Sequence, residues 1–170
     1  MIAMRWWRLL RHRLVDERDA RRRLGAGALE RLGTRVAASE RHHRGEIRVC
    51  VEAGLPLSYL WRDADPRERA LAMFGKLRVW DTDENNGVLI YLLLAEHRIE
   101  IVADRGLNPH VGPAEWQAIA DEMSAAFRGG ALEAGLNRAI DAVDALLRRH
   151  FPAQEGAPNP NELPDRPALQ

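Results

Sequence analysis

With 170 residues, 25 basic against 25 acidic side chains and one cysteine, the chain has room for one domain with a real core and terminal extensions. The balanced charge gives no field to steer it to nucleic acid, and a single Cys50 excludes an internal disulfide partner and a thiolate zinc site, leaving a small buried hydrophobe. No apolar run approaches the roughly 20 residues of a membrane span. Arg8, Arg11 and Arg13 interrupt any signal-peptide core, so a cytoplasmic setting is expected, with peripheral attachment to a membrane as its qualification.

In chain order, residues 1–24 read as a basic N-terminal helix and linker, with eight arginines against Asp16, Glu17 and Asp19. Over 3–14 the helical spacing puts Trp6, Leu9, Leu10 and Leu14 on one face and Arg8 and Arg11 elsewhere. Such a helix either lies in a bilayer interface or covers an apolar patch of its own domain with the arginine stems beside it. A domain over 25–152 follows. Its first helix, Ala26 to Glu40, carries Leu29, Leu32, Val36 and Ala37 at helical spacing, and Gly45 reads as its terminator.

Glu46 to Ala53 alternates, with Ile47, Val49 and Val51 on one side and Arg48, Cys50 and Glu52 on the other, which predicts a half-covered strand. Residues 57–64 read as a loop with Tyr59, Leu60 and Trp61 turned inward. Asp65-Pro66 is an N-cap followed by proline in the first turn, opening a helix over 66–77. Val88 to Leu94 is apolar at every position, the pattern of a strand buried on both faces, and Asn86-Gly87 is the turn that enters it. Strand, helix and strand imply a right-handed crossover and a parallel pair. A short turn then returns the chain antiparallel over 99–103. Two amphipathic helices follow, from Pro113 to about Arg128 and from Leu132 to about His150. The tail, 153–170, is proline-rich and is expected to carry neither helix nor strand. The fold expected is an α/β/α sandwich around a small mixed sheet with helices on both faces.

This connectivity brings three polar segments to one sheet edge. They are His42, His43 and Glu46 before and at the start of the first strand, Asp81, Asp83, Glu84, Asn85 and Asn86 before the second, and Asp104 and Arg105 after the third. Clustered carboxylates repel unless a cation or arginines sit among them. A hard ion such as Ca²⁺ or Mg²⁺ takes carboxylate, amide and backbone oxygens. The spacing Asp81-x-Asp83-x-Asn85 matches the alternating ligands of a calcium loop but lacks that loop's glycine and its closing glutamate. The alternative is an acidic loop neutralised by Arg62, Arg78 or Arg105. No phosphate-cradling glycine loop, G-x-S-x-G or H-E-x-x-H motif is present.

Four stretches together resemble the TPM domain family: Gly45-Glu46-Ile47-Arg48-Val49, Asn85-Asn86-Gly87-Val88-Leu89-Ile90, the hairpin from Arg98 to Leu107, and Met123-x-x-x-Phe127-Arg128-x-Gly130. The family includes a thylakoid-lumen photosystem repair protein and many bacterial proteins. The resemblance runs from Gly45 to about His150 and implies a mixed sheet between helices. It also implies a divalent-cation site, calcium or magnesium, and a weak phosphatase activity in one member. On this reading Asp81, Asp83 and Asn85 are direct metal ligands, with Glu84, Glu46 and Asp104 as alternates. Asn86, Gly87, His43 and Arg105 support them. The expected function is a cation-binding module acting through a protein or membrane-surface partner. A metal-assisted phosphatase at the same site and a metal-free adaptor are the alternatives.

Overall fold

A computed structural model describes residues 2–170, and side chains from Trp6 onward. Met1, the first residue of the expected N-terminal segment, lies outside them. Helices α1 (Ile2–Leu14), α2 (Glu17–Leu24) and α3 (Ala28–Ser39) precede strand β1 (Glu46–Glu52). A short helix α4 (Leu57–Trp61) and α5 (Pro66–Lys76) lead to β2 (Gly87–Leu93) and β3 (Arg98–Ala103). Helices α6 (Pro113–Arg128) and α7 (Leu132–His150) close the body, and the tail ends in β4 (Ala168–Leu169). The strands are ordered β3-β2-β1-β4. β1 and β2 pair parallel, β2 and β3 antiparallel.

The all-apolar run over β2 is buried at every position because it is the inner strand between β1 and β3. Its two parities feed two cores. Val88, Ile90 and Leu92 join Ile47, Val49 and Val51 beneath residues of α2, α3, α6 and α7. Leu89, Tyr91 and Leu93 join Cys50 beneath Leu60 of α4 and Ala70 and Met73 of α5. The architecture is the expected α/β sandwich. The α5 start is as its sequence dictates: Asp65 Oδ1 accepts the Arg67 N–H at 2.7 Å, with Pro66 in the first turn.

Several expectations are corrected. The tail does carry a strand: Ala168 and Leu169 pair with Cys50 and Val51, making β4 the fourth strand. Without it β1 would be an open edge with unpaired backbone groups. For the same reason β1 is buried at all seven positions, not half-covered. Its second face is closed by Leu163 of the tail and by Arg69, whose guanidinium grips Glu52 at 2.6–3.1 Å. Residues 57–61 are helical, and within them Leu60 is buried while Trp61 faces outward.

Gly45 does not end α3, which stops at Ser39. A Cβ on Gly45 would come 2.5 Å from Leu147, so its role is close approach to α7. The N-terminal helix also sits differently from its pattern. Arg8, Leu9 and His12 meet the domain, whereas Trp6, Leu10 and Leu14 are exposed.

Candidate functional site

The three polar segments do converge where β1 and β2 begin. Glu46 stands beside Gly87 in the parallel register, and the Asp104 N–H donates to the Gly87 carbonyl at 2.9 Å. The Gly106 N–H donates to the Asn85 carbonyl, also at 2.9 Å. Two glycines make this approach possible. A Cβ on Gly87 would run into the carbonyl of Val79, and one on Gly106 would lie 2.5 Å from the carbonyls of both Glu84 and Asn85. Neither glycine needs left-handed backbone; both are needed for lack of bulk.

The loop itself is a set of local bonds. Thr82 Oγ1 accepts the Asn86 N–H at 3.1 Å, and its carbonyl accepts the Asn85 N–H at 3.2 Å. Asn85 sits at φ 52°, left-handed backbone that asparagine tolerates better than most residues. Asn86 is fully buried and its Nδ2 donates to the Arg44 carbonyl at 2.9 Å.

Much of the acidic charge is answered by arginine. Asp81 faces Arg78 at 3.6 Å, and Glu84 pairs with Arg44. Arg105 Nε donates to Asn85 Oδ1 at 3.1 Å. Arg62, the remaining arginine considered for this role, instead pairs with Glu68. Asp83 is exposed, and its N–H donates to Glu162 of the tail at 2.9 Å. Among the described residues no three His, Cys, Asp or Glu side chains form a cluster able to hold an ion.

Two oxygens at this rim have no partner. Asp104 Oδ1 accepts the Arg105 N–H at 2.7 Å, but Oδ2 is buried without a donor. Asn86 Oδ1 is likewise buried and unpaired. An unpaired buried carboxylate oxygen is costly, and such oxygens suit a hard cation.

Glu46 and His43 are occupied differently. The Glu46 carboxylate accepts the tail N–H groups of Glu162 and Leu163 at 3.2 and 3.1 Å. Burial pushes its pKa up to about 7 against the opposing pull of those bonds. His43 is fully buried. Its Nδ1 lies 2.9 Å from the Gly45 carbonyl, which can only accept, so Nδ1 carries the proton and Nε2 faces Ser39 Oγ at 3.3 Å. Burial holds its pKa down at about 4, so it is neutral near pH 7.

The tail's part was invisible to sequence reasoning. Asn159 Nδ2 donates to the carbonyls of Glu40 and His43 at 2.9 and 3.0 Å, and Arg48 donates to the Pro164 carbonyl at 2.6 Å. Glu40, buried behind the rim, accepts the Ile47 N–H at 2.9 Å and has its pKa pushed up to about 9 by burial. No motif announces such bonds, because most of them run to backbone groups far away in sequence.

A cleft of about 630 Å³ lies elsewhere, along the outer edge of β3 between α5 and α6. Its charged walls are spent on one another: Arg98 on Glu100 at 2.5 Å and on Asp65 at 3.7 Å, and Arg67 on the Ile101 carbonyl. The rim, with its unpaired oxygens, is the stronger candidate.

A family model for the TPM domain matches residues 18–146. The chain belongs to the TPM domain family. The match starts within α2, earlier than Gly45, and so takes in α3 as part of the TPM domain. Among solved structures, the NMR structure of the BA42 protein from the psychrophilic bacterium Bizionia argentinensis superposes with a TM-score of 0.73 at 25% identity. That match covers 86% of this chain and 94% of that one. The N-terminal domain of a protein from P. gingivalis superposes with a TM-score of 0.58 at 21% identity, covering 78% of this chain and 83% of that one. No curated protein matches. Among the described residues no helix of this TPM domain is long and apolar enough to cross a membrane.

Proposed function

We propose that this TPM domain is a divalent-cation-binding module, taking Ca²⁺ or Mg²⁺ at the rim formed by residues 81–87 and 104–106 and acting through a partner. The observation that carries the reading is Asp104 Oδ2, a buried carboxylate oxygen with no donor, beside a loop rich in oxygens. Asn86 Oδ1 and the loop carbonyls are the neutral donors at hand. Asp81, Asp83, Glu84 and Asn85 supply further oxygens by turning from Arg78, Arg44 and Arg105, and Glu46 by releasing the tail. Exchanging arginine contacts for an ion makes the site weak, because cation affinity follows the number and charge of preset ligands. A cytoplasmic setting beside a protein or membrane surface fits this reading.

Thermal unfolding with and without the ion tests it. A ligand that binds only the folded state raises stability as RT ln(1 + [L]/Kd). Millimolar calcium or magnesium is expected to raise the Tm of the wild type and not that of Asp104→Asn. Equal Tm with and without either ion in the wild type would dismiss the site. The phosphatase alternative needs a positive group facing a phosphoryl oxygen. Arg105 is exposed at the rim, while neutral, buried His43 does not serve. Hydrolysis of p-nitrophenyl phosphate that requires magnesium and is lost in Arg105→Ala would favour that activity over plain binding.

A further inference from the structure

Helix α1 is amphipathic with the wrong side out. Apart from Leu9, which packs on the second core, its contacts with the domain are polar. Arg8 donates to Glu96 at 2.7 Å, Asp63 at 2.5 Å and the Ala64 carbonyl at 2.8 Å. Arg11 donates to the Ala95 carbonyl. His12 accepts the Leu55 N–H on Nδ1 at 2.9 Å, so its Nε2 carries the proton it offers Glu96 at 2.9 Å. A Cβ on Gly54 would lie 2.7 Å from the His12 carbonyl, a sign of tight docking. The opposite face holds Trp6, Trp7, Leu10 and Leu14, which are 63, 65, 53 and 76% exposed. Helix α4, which packs against α1, adds the half-exposed Leu57 and the largely exposed Trp61.

We propose that this face is the protein's docking surface for an anionic lipid bilayer. Large apolar side chains left outside on a helix fixed by its polar residues mark an interaction site. Two features of this face select a bilayer. Tryptophan beside leucine, with arginine at the margins, suits the headgroup boundary, where an amphipathic helix lies in plane. The charge agrees: α1 contains four arginines and no acidic residue, and although Arg8 is paired with Glu96 and Asp63, Arg11 and Arg13 are exposed. A second copy of the chain is disfavoured, since a two-fold contact sets the same basic surface against itself. The placement also orients the molecule. α1 lies against residues 54–55 and 95–96, just past the ends of β1 and β2, whereas the acidic rim lies at their beginnings. With the bilayer under α1, the rim faces away from it by about 20 Å, the length of a seven-residue strand.

Flotation of the full chain with vesicles tests the proposal, using phosphatidylcholine alone or mixed with phosphatidylglycerol. The wild type is expected to float with the anionic vesicles, to lose binding as salt rises, and to float weakly or not at all with the neutral ones. Leu10→Ser/Leu14→Ser changes only exposed positions, so it should keep the wild-type circular dichroism while binding falls at least about tenfold. Arg13→Glu, which reverses one charge, should cost roughly fivefold or more on anionic vesicles. No flotation of the wild type, or equal flotation of Leu10→Ser/Leu14→Ser, overturns the proposal. So does a concentration-dependent dimer that Leu10→Ser/Leu14→Ser abolishes, since a second copy would then cover the face. Asp104→Asn should float like the wild type, which separates this surface from the rim.

Discussion

The Gly106 amide donates to the Asn85 carbonyl at 2.9 Å, and no side chain fits between them, since a Cβ on Gly106 would stand 2.5 Å from that same oxygen. This contact clasps the loop that enters β2 to the turn that leaves β3. Gly106→Ala must therefore push two backbones apart. A loss of about 1–3 kcal/mol is expected, the usual range for overpacking a close contact. Urea unfolding measures it, and any calcium response of the rim should weaken in parallel.

The tail is a structural part of the sheet. Leu163 is buried in the second core, while Glu46, Arg48 and Asn159 bind it to the front of β1. Leu163→Ala is expected to cost about 2–4 kcal/mol, as for other buried leucines. Deleting 153–170 should do more, opening the β1 edge to pairing with other chains. Light scattering during unfolding and refolding of the truncated chain will show this as aggregation absent from the full chain.

On the second face of the sheet, Tyr91 Oη donates to Glu52 Oε2 at 2.5 Å while Arg69 holds the same carboxylate from α5. Arg69→Met leaves Glu52 buried beside one neutral donor. A loss of about 3–5 kcal/mol is expected for breaking a buried pair from one side. Tyr91→Phe removes only a hydrogen bond and should cost about 1–2 kcal/mol. The order of the two variants in chemical denaturation checks the assignment.

Stability should depend on pH through Glu40 and His43 in opposite senses. Burial raises the Glu40 pKa from 4.5 to about 9. The folded state then binds more protons than the unfolded one between those values. Its contribution is full below about 4.5 and is lost as pH rises toward 9. His43 falls from 6.5 to about 4, so its contribution is full above 6.5 and is lost as pH falls toward 4. Glu40→Gln keeps an oxygen for the Ile47 N–H and removes the titration. Its unfolding free energy should decline less between pH 6 and 9 than that of the wild type, while the decline below pH 6.5 remains.

The body of the fold was legible because its determinants are local. The β2 run is apolar on both parities, Asp65-Pro66 starts α5 by side-chain chemistry, and α6 and α7 declare themselves by period. What was not legible depends on distant partners. β4 is two residues long and is held by backbone bonds to β1, for which Pro-rich sequence gives no sign. α1 docks through Arg8, Leu9 and His12 and leaves Trp6, Leu10 and Leu14 outside, so the alternative in which its apolar face covers a patch of the domain fails for those three. His43 was expected to support the site, but it is fully buried between the Gly45 carbonyl and Ser39 of α3. At the rim, sequence named segments that do converge, Asp104 and the Asn86-Gly87 turn among them. The arginine alternative it offered is met by Arg78 on Asp81 and Arg105 on Asn85, but it did not reveal Arg44 on Glu84, or that the unpaired oxygens belong to Asn86 and Asp104.

Amide NMR with calcium added to the full chain tests the central claim most directly. Binding at the rim is expected to move the signals of residues 82–87 and 104–106 together and to leave those of the β2 and β3 turn at 95–97 in place. Unmoved rim signals at millimolar calcium, or shifts confined to another part of the molecule, would contradict it.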